Sequence, residues 1–505
     1  MTTTTPPNAR QNASKQAGAL VFGTTLATIS SALLPLFLVR LLGKADLAEL
    51  LALVLVYDTV ALLLTGGFPQ TLSYHAPGRP APERRAIASR IGTITAALGA
   101  VAGLVTAVIG LTGDALPGLL SDSGGSGISL GPLLVLAPSL VFELPSRIVP
   151  NLLVAEQRAR AASMLGVLRT ILTTLATLVP VALGQSLLVV AAWYSACRAL
   201  MGLSLPWAIR HCFPREPRIP CPVSVRELFR FALPLGATDV VSLLNQQFDR
   251  WLILLSFPAI AFAEYQAGAW QIPVVSTIAY SVGAAYMPAL VQAFGRGAAR
   301  EAIEIWKGTI VKVSLIVLPV TMGFTVAARD LMALLFTDAY VGAAPVFQWY
   351  SVLTLGRVAA FGSVIVAAGA PRYVLQAAIL SFVANVVLAI PLTFTIGFIG
   401  PALATALSFV PMVVFYVWSI GRASGVPTGS VFPLAAYGRV LLLTCLGGGL
   451  SYALLPYLPD SHALRVAASV GINVAAFALL GSLTRTIARE DWQYARDFVR
   501  LKFAR

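Results

Sequence analysis

Nine ionisable residues of this chain lie inside long apolar stretches, where a charge is costly. An ionisable side chain near the middle of a bilayer costs at least about 2.5–3.5 kcal/mol on insertion scales, so each one implies a hydrated cavity or a buried partner. Arginine in such a position favours contact with an anion. The nine residues are Asp58, Glu143, Arg147, Arg169, Arg198, Asp239, Asp249, Arg250 and Arg357.

The arginines differ in the acids that lie near them in sequence. Glu143 and Arg147 are four residues apart with the acid first, which is the favourable order for a side-chain pair on one helix. That pair either neutralises itself inside a helix bundle or forms part of a binding site. Arg198 and Arg357 have no acid on the same helical turn, so each needs a distant partner or faces water and an anion. Arg169 is nearer the predicted cytoplasmic end of its span and can extend towards the surface.

Polar residues recur along the stretch that follows residue 229. Their steps of three and four place most of them on one helical face. Such a face is costly against lipid, so we expect it to line a cavity or a polar helix interface. The acids Asp58, Asp239 and Asp249 are candidate H⁺ or Na⁺ sites, with an Asp249–Arg250 ion pair as the competing interpretation. The polar face comprises Asp239, Ser242, Asn245, Gln246, Asp249 and Arg250.

The elements that position these residues are about fourteen apolar stretches, each of at least about 18 residues and so long enough to cross a hydrocarbon core of roughly 30 Å. Most of the 35 Lys and Arg residues fall in alternate connections. This asymmetry predicts that those connections and both termini are cytoplasmic. The sequence therefore predicts an all-α polytopic membrane protein with about 14 transmembrane helices. The few basic residues of the outer connections are Arg40, Lys44, Arg329 and Arg465.

The chain is predicted to fall into two six-helix lobes in a pseudo-twofold arrangement, followed by two more helices. The stretch from Arg147 to Pro180 is spaced like that from Arg357 to Pro391, which favours a six-plus-six duplication. Residues 210–228 are rich in proline and arginine and read as a cytoplasmic linker. The predicted parts are a disordered cytoplasmic N-terminus (1–16), an N-lobe (17–209), the linker (210–228), a C-lobe (229–420), two further spans (437–482) and a cytoplasmic amphipathic tail (483–505).

Composition excludes several classes of protein. Hydrophobic residues make up 57% of the chain and charged residues only 11%, unlike a soluble domain. The net charge of +14 lies almost entirely outside the apolar stretches, so it indicates a membrane protein and not a nucleic-acid binder. The four cysteines and three histidines lack metal-ligand spacing, and there is no GxxxxGK[ST] loop for ATP. We therefore expect no metal, no cofactor and no enzymatic activity.

Four segments resemble Wzx-type flippases, the O-antigen and polysaccharide flippases of the multidrug/oligosaccharidyl-lipid/polysaccharide exporter superfamily. LFLVRLLGKADLAELLALVLVYDTVALLLTGGFPQTL is similar to their first-to-second helix region, and RELFRFALPLGATDVVSLLNQQFDRWLILL to their seventh helix. LMALLFTDAYVGAAPVFQW resembles their outer segment before helix ten, and IGFIGPALATALS their entry into helix twelve. The resemblance extends over nearly the whole chain.

The resemblance implies two lobes around a central cavity and alternating access in a bacterial inner membrane. The implied substrate is a polyprenyl-(pyro)phosphate-linked oligosaccharide, moved from the cytoplasmic to the outer leaflet for cell-surface polysaccharide biosynthesis. Membrane lipids, a polysaccharide polymerase and glycosyltransferases are the implied partners. From their position and chemistry, Arg147, Arg198, Arg250 and Arg357 are the candidate phosphate contacts, and Glu143, Ser242, Asn245 and Gln246 are candidate polar residues of the cavity wall.

Two alternatives remain at this point. An ion-coupled multidrug exporter of the same superfamily would favour an acidic cavity, whereas the in-span charges are five basic and four acidic. A membrane glycan polymerase, ligase or scaffold would need catalytic carboxylates or Arg/His clusters in a sizeable outer loop. The largest predicted outer loop is rich in glycine and serine and carries only Asp114 and Asp122 as charged residues.

Overall fold

The computed structural model describes residues 30, 32–113, 129–272 and 286–487, and this part of the chain is helical with no β-strand. The prediction of an all-α protein is therefore confirmed. The described residues fall in two compact units, the first ending at Ala263 and the second beginning at Glu264. The predicted N-terminal segment (1–16), most of the tail (488–505) and the Gly/Ser-rich outer loop (114–128) lie outside the described residues.

The first unit is built from long apolar helices and short helical segments. A 3₁₀ turn at Ala137–Ser139 joins two of the short segments. The helices are α1 (Ala32–Leu41), α2 (Lys44–Thr65), α3 (Phe68–His75), α4 (Ala81–Thr112), α5 (Leu133–Leu136), α6 (Leu140–Ser146), α7 (Val149–Ala155), α8 (Ala159–Ala182), α9 (Leu187–Gly202), α10 (Ser204–Cys212), α11 (Val225–Ser256) and α12 (Ala259–Gly268), the last of which runs across the boundary between the units.

The second unit has the same mixture of long helices and short segments. Its 3₁₀ turns lie at Asp338–Ala343, Gly397–Ile399 and Leu455–Tyr457. Its helices are α13 (286–295), α14 (Ala299–Val326), α15 (Ala328–Phe336), α16 (Ala344–Val352), α17 (Thr354–Arg357), α18 (Phe361–Ala367), α19 (Arg372–Ile396), α20 (Gly400–Ser424), α21 (Thr428–Val431), α22 (Leu434–Leu454) and α23 (His462–Leu483).

Ten helical stretches among the described residues are long and apolar enough to cross a membrane, which confirms a polytopic membrane protein. One of them, Arg372–Ser424, contains both α19 and α20. The 32-residue helix α11 is not among the ten, since it carries the polar face noted above. Parts of two other predicted spans (17–39 and 262–290) lie outside the described residues. The count of about fourteen therefore stays a prediction.

One predicted span in each unit is broken into short pieces. The stretch predicted at 130–152 forms α5, a 3₁₀ turn, α6 and α7, with Pro138 and Pro145 at the interruptions. The stretch predicted at 345–369 forms α16, α17 and α18, and Ala360 adopts a left-handed conformation between the last two. Arg147 follows directly after α6, and Arg357 is the last residue of α17. The two breaks fall at Arg147 and Arg357, the positions from which the internal repeat was inferred, and the repeat stays a prediction.

A junction of three glycines joins α2 and α3 to α11 at very short range. Gly66 and Gly67 separate α2 from α3, and Gly67 has a φ of 81°, which suits glycine. A Cβ on Gly66 would lie only 3.0 Å from the Cα of Gly236 on α11. The backbones therefore meet directly, and Phe68 and Ala232 bury apolar surface beside them. This junction fixes the polar face of α11 against α3.

Candidate functional site

A fully buried carboxylate, that of Glu143, binds three arginines from three different helical segments. Its Oε1 accepts from Arg147 Nε at 3.1 Å and from Arg198 Nη1 at 3.0 Å, and it also accepts from Arg169 Nη2. Glu143 lies on α6, Arg147 follows it, Arg169 is on α8 and Arg198 is on α9. We call these four residues the arginine cluster. One negative charge thus holds three positive ones inside a membrane-spanning region.

Arg198 is the most enclosed arginine of the cluster. Besides Glu143 it donates to the Tyr194 hydroxyl, one turn earlier on α9. Its guanidinium carbon lies 4.7 Å from the Tyr194 ring centroid and 6.0 Å from that of Tyr57, which is cation–π range. Only 10% of its side chain is exposed. Arg198 therefore pairs with an acid that is distant in the sequence, and two aromatic rings enclose its guanidinium.

The other two arginines of the cluster keep part of their surface accessible. The exposed fraction of the side chain is 26% for Arg169 and 16% for Arg147. Arg147 Nη2 also lies 3.8 Å from Asp58 Oδ1, and the Asp58 side chain is 41% exposed. With both carboxylates counted, three cations still face two anions. The residual positive charge lies at Arg147 and Arg169, where an anion can reach it.

Next to the cluster, a pocket of about 430 Å³ opens among α2, α3, α7 and α11. Arg147 belongs to its wall as well as to the cluster. From the predicted polar face of α11 the pocket receives Asp239, Ser242 and Gln246. Of the predicted cavity-wall residues, Ser242 and Gln246 line this pocket, whereas Glu143 and Asn245 are not part of its wall. The remaining wall is Leu62, Thr65, Gly66, Pro69, Gln70, Asn151 and Leu243.

Asp239 connects this pocket with the glycine junction. Its Oδ2 accepts from the backbone N–H of Gly67 at 3.2 Å and from Gln70 Nε2 at 3.2 Å. Gly67 immediately precedes α3, so the carboxylate satisfies one of the N–H groups that a helix start leaves without a helical partner. Asp239 therefore acts on α3 as a capping residue would, although it belongs to α11.

Three further residues of the predicted set lie along α11 but not in the pocket wall. Asn245 is half-buried. Asp249 is buried, and its Oδ1 accepts from the backbone N–H of Arg250 at 2.9 Å. The Arg250 guanidinium donates to Gln247 Oε1 at 3.0 Å. Their assignment to phosphate or ion binding stays a prediction.

Arg357 belongs to the second unit and has a neutral partner. Its Nη1 donates to Gln271 Oε1 at 2.7 Å. Both residues line a small pocket that also contains Trp270, Tyr350 and Thr354. Among the residues described, no acid pairs with Arg357, which distinguishes it from the arginines bound to Glu143.

Sequence reasoning gave too little weight to three residues of this region. Arg169 is near enough to the predicted cytoplasmic end of its span to extend to the surface, yet it binds Glu143. Tyr57 and Tyr194 enclose Arg198, and Tyr57 exchanges a 2.8 Å hydrogen bond with Ser139. The spacing of Tyr194 and Arg198, four residues apart, was the available signal. In the part of the chain that the structure describes, no three His, Cys, Asp or Glu side chains are grouped as metal ligands.

Comparisons with known proteins agree with this architecture. The sequence matches the family model described as "Polysaccharide biosynthesis protein" over residues 14–294, and that of "Lipid II flippase MurJ" over residues 203–464. No curated protein sequence matches the chain significantly.

Among solved structures, the fold is similar to a lipid II flippase MurJ in an inward closed conformation. That match has a TM-score of 0.71 at 14% identity and covers 94% of this chain and 99% of that one. An inward-facing multidrug resistance MATE family transporter has a TM-score of 0.57 at 15% identity, with 80% and 96% covered. A MOP superfamily transporter from Pyrococcus furiosus has a TM-score of 0.52 at 14% identity, with 82% and 96% covered.

At these identities the structural likeness concerns the fold alone, whereas each of the two family models covers more than half of the chain. The matches to the two family models and the all-helical architecture with several membrane spans lead to the same family assignment. The chain belongs to the polysaccharide biosynthesis proteins of the MOP flippase superfamily, the superfamily that also contains MurJ and the MATE transporters.

Proposed function

We propose that this protein is a flippase that moves a polyprenyl-(pyro)phosphate-linked oligosaccharide from the cytoplasmic to the outer leaflet of a bacterial inner membrane. The observation that carries the proposal is the arginine cluster, which brings more positive than negative charge into a membrane-spanning region. Such an excess is stable only with a compensating anion or with water. A (pyro)phosphate headgroup is an anion of the right chemistry, because the guanidinium fork pairs with its oxygens.

Within the cluster, Arg147 and Arg169 are the residues that touch the phosphate in this proposal. Each donates one nitrogen to Glu143 and retains further N–H groups on a partly exposed guanidinium. Arg198 positions the cluster, because its guanidinium is enclosed by Glu143, Tyr194 and Tyr57. Arg357 supplies a further cation from the second unit, and its pairing with neutral Gln271 leaves its charge available. The headgroup then passes through a hydrated path while its lipid tail stays in hydrocarbon.

The charge balance of the first unit's pocket disfavours export of organic cations. Asp239 is the one acid of that wall, and Arg147 opposes it. Asp249 is buried elsewhere on α11, and Asp58 is 3.8 Å from Arg147. A cationic drug entering here would meet the arginine cluster, and the like charges would repel it.

The test is transport of a fluorescent polyprenyl-pyrophosphate oligosaccharide in proteoliposomes made with the full chain. We expect faster movement between leaflets than in protein-free vesicles, and no acceleration for a neutral glycolipid of the same tail length. Arg169→Ala and Arg147→Ala should each slow transport about tenfold or more, the equivalent of about 1.4 kcal/mol of lost headgroup contact. Arg296→Ala is the matched control, because Arg296 is an exposed arginine that pairs with Glu301.

Three results would contradict the proposal. Wild-type rates in both arginine variants would remove the cluster from the transport path. Uptake of organic cations without flipping of the glycolipid would favour the multidrug exporter. Formation of a longer or transferred glycan would favour a polymerase or ligase.

A further inference from the structure

The pocket beside the arginine cluster has a chemistry that differs from that of a second phosphate site. Its polar wall combines one carboxylate, one guanidinium, three carboxamides and two hydroxyls. The wall itself carries one formal negative charge, on Asp239, and one positive charge, on Arg147, so it offers no surplus of either sign to a second anion or to a free cation. A neutral group with many hydroxyls, in contrast, finds donors and acceptors on several sides at once.

Several of these polar groups have hydrogen-bonding capacity left for a ligand. Both described hydrogen bonds of Asp239 go to Oδ2, so Oδ1 remains as an acceptor. Asn151 uses its Nδ2 to reach Ser73 Oγ at 3.1 Å, and its carbonyl oxygen remains. Gln246 is exposed on the same helical face as Asp239 and Ser242. A volume of about 430 Å³ also falls within the range of roughly 300–1,000 Å³ that is usual for small-molecule pockets.

Arg147 connects the two regions because it is the residue that the cluster and the pocket share. It follows α6, binds Glu143 through Nε and lies in the pocket wall. A ligand with an anionic group bound at Arg147 therefore has one of its two covalent neighbours beside the pocket, and the polar pocket wall favours the neighbour that carries hydroxyls over the polyprenyl chain. In a glycosyl (pyro)phosphate that neighbour is the first sugar ring.

We propose that this pocket binds the first, uncharged sugar of the lipid-linked substrate, with Asp239, Gln246, Ser242 and Asn151 as the specificity-determining residues. The inference rests on the proposed function, since it places the phosphate at the adjacent arginines. Asp239 acts in two ways here: Oδ2 holds the start of α3 and Oδ1 accepts a sugar hydroxyl. The pocket therefore discriminates among sugars by the positions of their hydroxyls and leaves the contact with phosphate to the arginines.

The experiment measures binding of two sets of probes to the purified full-length protein in detergent. The first probe is a fifteen-carbon polyprenyl pyrophosphate, and the second set is the same lipid carrying one glucose, galactose or N-acetylglucosamine. We expect at least one sugar to tighten Kd about tenfold over the bare pyrophosphate, the equivalent of one or two net hydrogen bonds. Gln246→Ala and Ser242→Ala should remove this gain and leave the Kd of the bare pyrophosphate unchanged.

The variants separate this inference from the proposed function. Arg169→Ala should weaken all probes by the same factor, because it lies outside the pocket wall. Asp239→Asn keeps a side-chain oxygen for Gly67, removes the charge and replaces the acceptor Oδ1 with an NH2 donor, so it should alter the order of preference among the sugars. Ser363→Ala, on α18 in the second unit, is the control and should change nothing.

The possible outcomes are distinct. If the wild type binds the bare pyrophosphate and no sugar adds affinity, the sugar site is wrong while the proposed function stands. If Gln246→Ala weakens the bare pyrophosphate equally, the pocket is a phosphate site. If Na⁺ or tetraphenylphosphonium binds and Asp239→Asn abolishes that binding, the pocket is a cation site. If the wild type binds no pyrophosphate lipid at all, both proposals fail together.

Discussion

Glu143 Oε1 lies 3.0 Å from Arg198 Nη1, and this ion pair joins α6 to α9. The two residues are 55 positions apart in the sequence. Both side chains are almost completely buried. The other carboxylate oxygen, Oε2, and the Arg198 Nε are buried without a described hydrogen-bond partner. The pair therefore depends on a small number of contacts in a setting where charge is costly.

Replacing Glu143 with glutamine should destabilise the protein strongly. The change leaves three guanidinium groups without the carboxylate that holds them, and breaking a buried ion pair by removing one partner costs about 3–5 kcal/mol. We expect a loss of that size in the free energy of unfolding, measured by denaturant titration in detergent. Glu83→Gln is the control, because Glu83 makes a part-exposed pair with Arg79 and should change stability by less than about 1 kcal/mol.

The arginines of the cluster should separate into a structural and a functional class. Arg198→Met removes the enclosed guanidinium and leaves Glu143 less well neutralised, so the free energy of unfolding should fall by several kcal/mol. Arg169→Met removes a guanidinium that is 26% exposed, so it should cost less stability than Arg198→Met while still abolishing most transport. Unfolding and flipping assays on the same preparations measure both effects. Equal stability of the two variants would contradict the assignment.

Arg357→Ala should reduce transport without unfolding the second unit. Its described partner is the neutral Gln271, so removing the guanidinium leaves no unpaired buried charge. We expect a flipping rate about tenfold lower if Arg357 contacts the phosphate as proposed. Gln271→Ala is the comparison, since it removes the partner and retains the cation. If Gln271→Ala were as inactive as Arg357→Ala, then the hydrogen bond itself, and not the charge, would be what transport requires.

Gly67→Ala tests the glycine junction, and Gly78→Ala provides its control. Both glycines have positive φ, 81° and 77°, so alanine is strained at either position by about 1–2 kcal/mol. At Gly67 the new Cβ would also overlap the Ala232 carbonyl oxygen, whereas at Gly78 it would meet nothing within 4 Å. Gly67→Ala should therefore lower the melting temperature clearly more than Gly78→Ala. Similar melting temperatures would mean that the α3 and α11 backbones can move apart at the junction without a loss of stability.

Asn473→Leu should weaken the contact between α14 and α23. The Asn473 side chain is fully buried, and its Nδ2 donates to the Pro319 carbonyl at 2.7 Å. Hydrogen bonds between membrane helices contribute about 0.6–1.7 kcal/mol, so the loss in unfolding free energy should fall in that range. Val474→Ala is the neighbouring control, because Val474 is exposed. A larger loss than that range would indicate that Leu does not fit at position 473.

Much of the fold could be predicted because hydrophobic length and charge placement are local properties of the sequence. The polar face of α11 was read from steps of three and four residues, and it does line a pocket. The Glu143–Arg147 pair was likewise visible from its spacing. The break between α2 and α3 had a signal too, since Gly66 and Gly67 stand next to Phe68-Pro69 in an otherwise apolar stretch.

The convergence of Arg169 and Arg198 on Glu143 could not be predicted in the same way. Their sequence separations from Glu143 are 26 and 55 residues, and which faces of α8 and α9 meet α6 depends on packing. The hydrogen bond from Gly67 to Asp239 spans 172 residues and exists only because glycine lets two backbones approach closely. Periodicity tells which face of a helix is polar but not which helix that face meets.

Asp58 differs from Glu143 in a way that bears on how such a transporter can change its cargo. It lies at the edge of the arginine cluster, 41% exposed and 3.8 Å from Arg147, while Glu143 is enclosed at the centre. Replacing Glu143 with a neutral residue should destabilise the fold. Replacing Asp58 with a neutral residue should raise the local charge by one unit and cost little stability. Under the proposed function, position 58 is therefore where a substitution would change the charge offered to a monophosphate or a pyrophosphate carrier without rebuilding the helices around it.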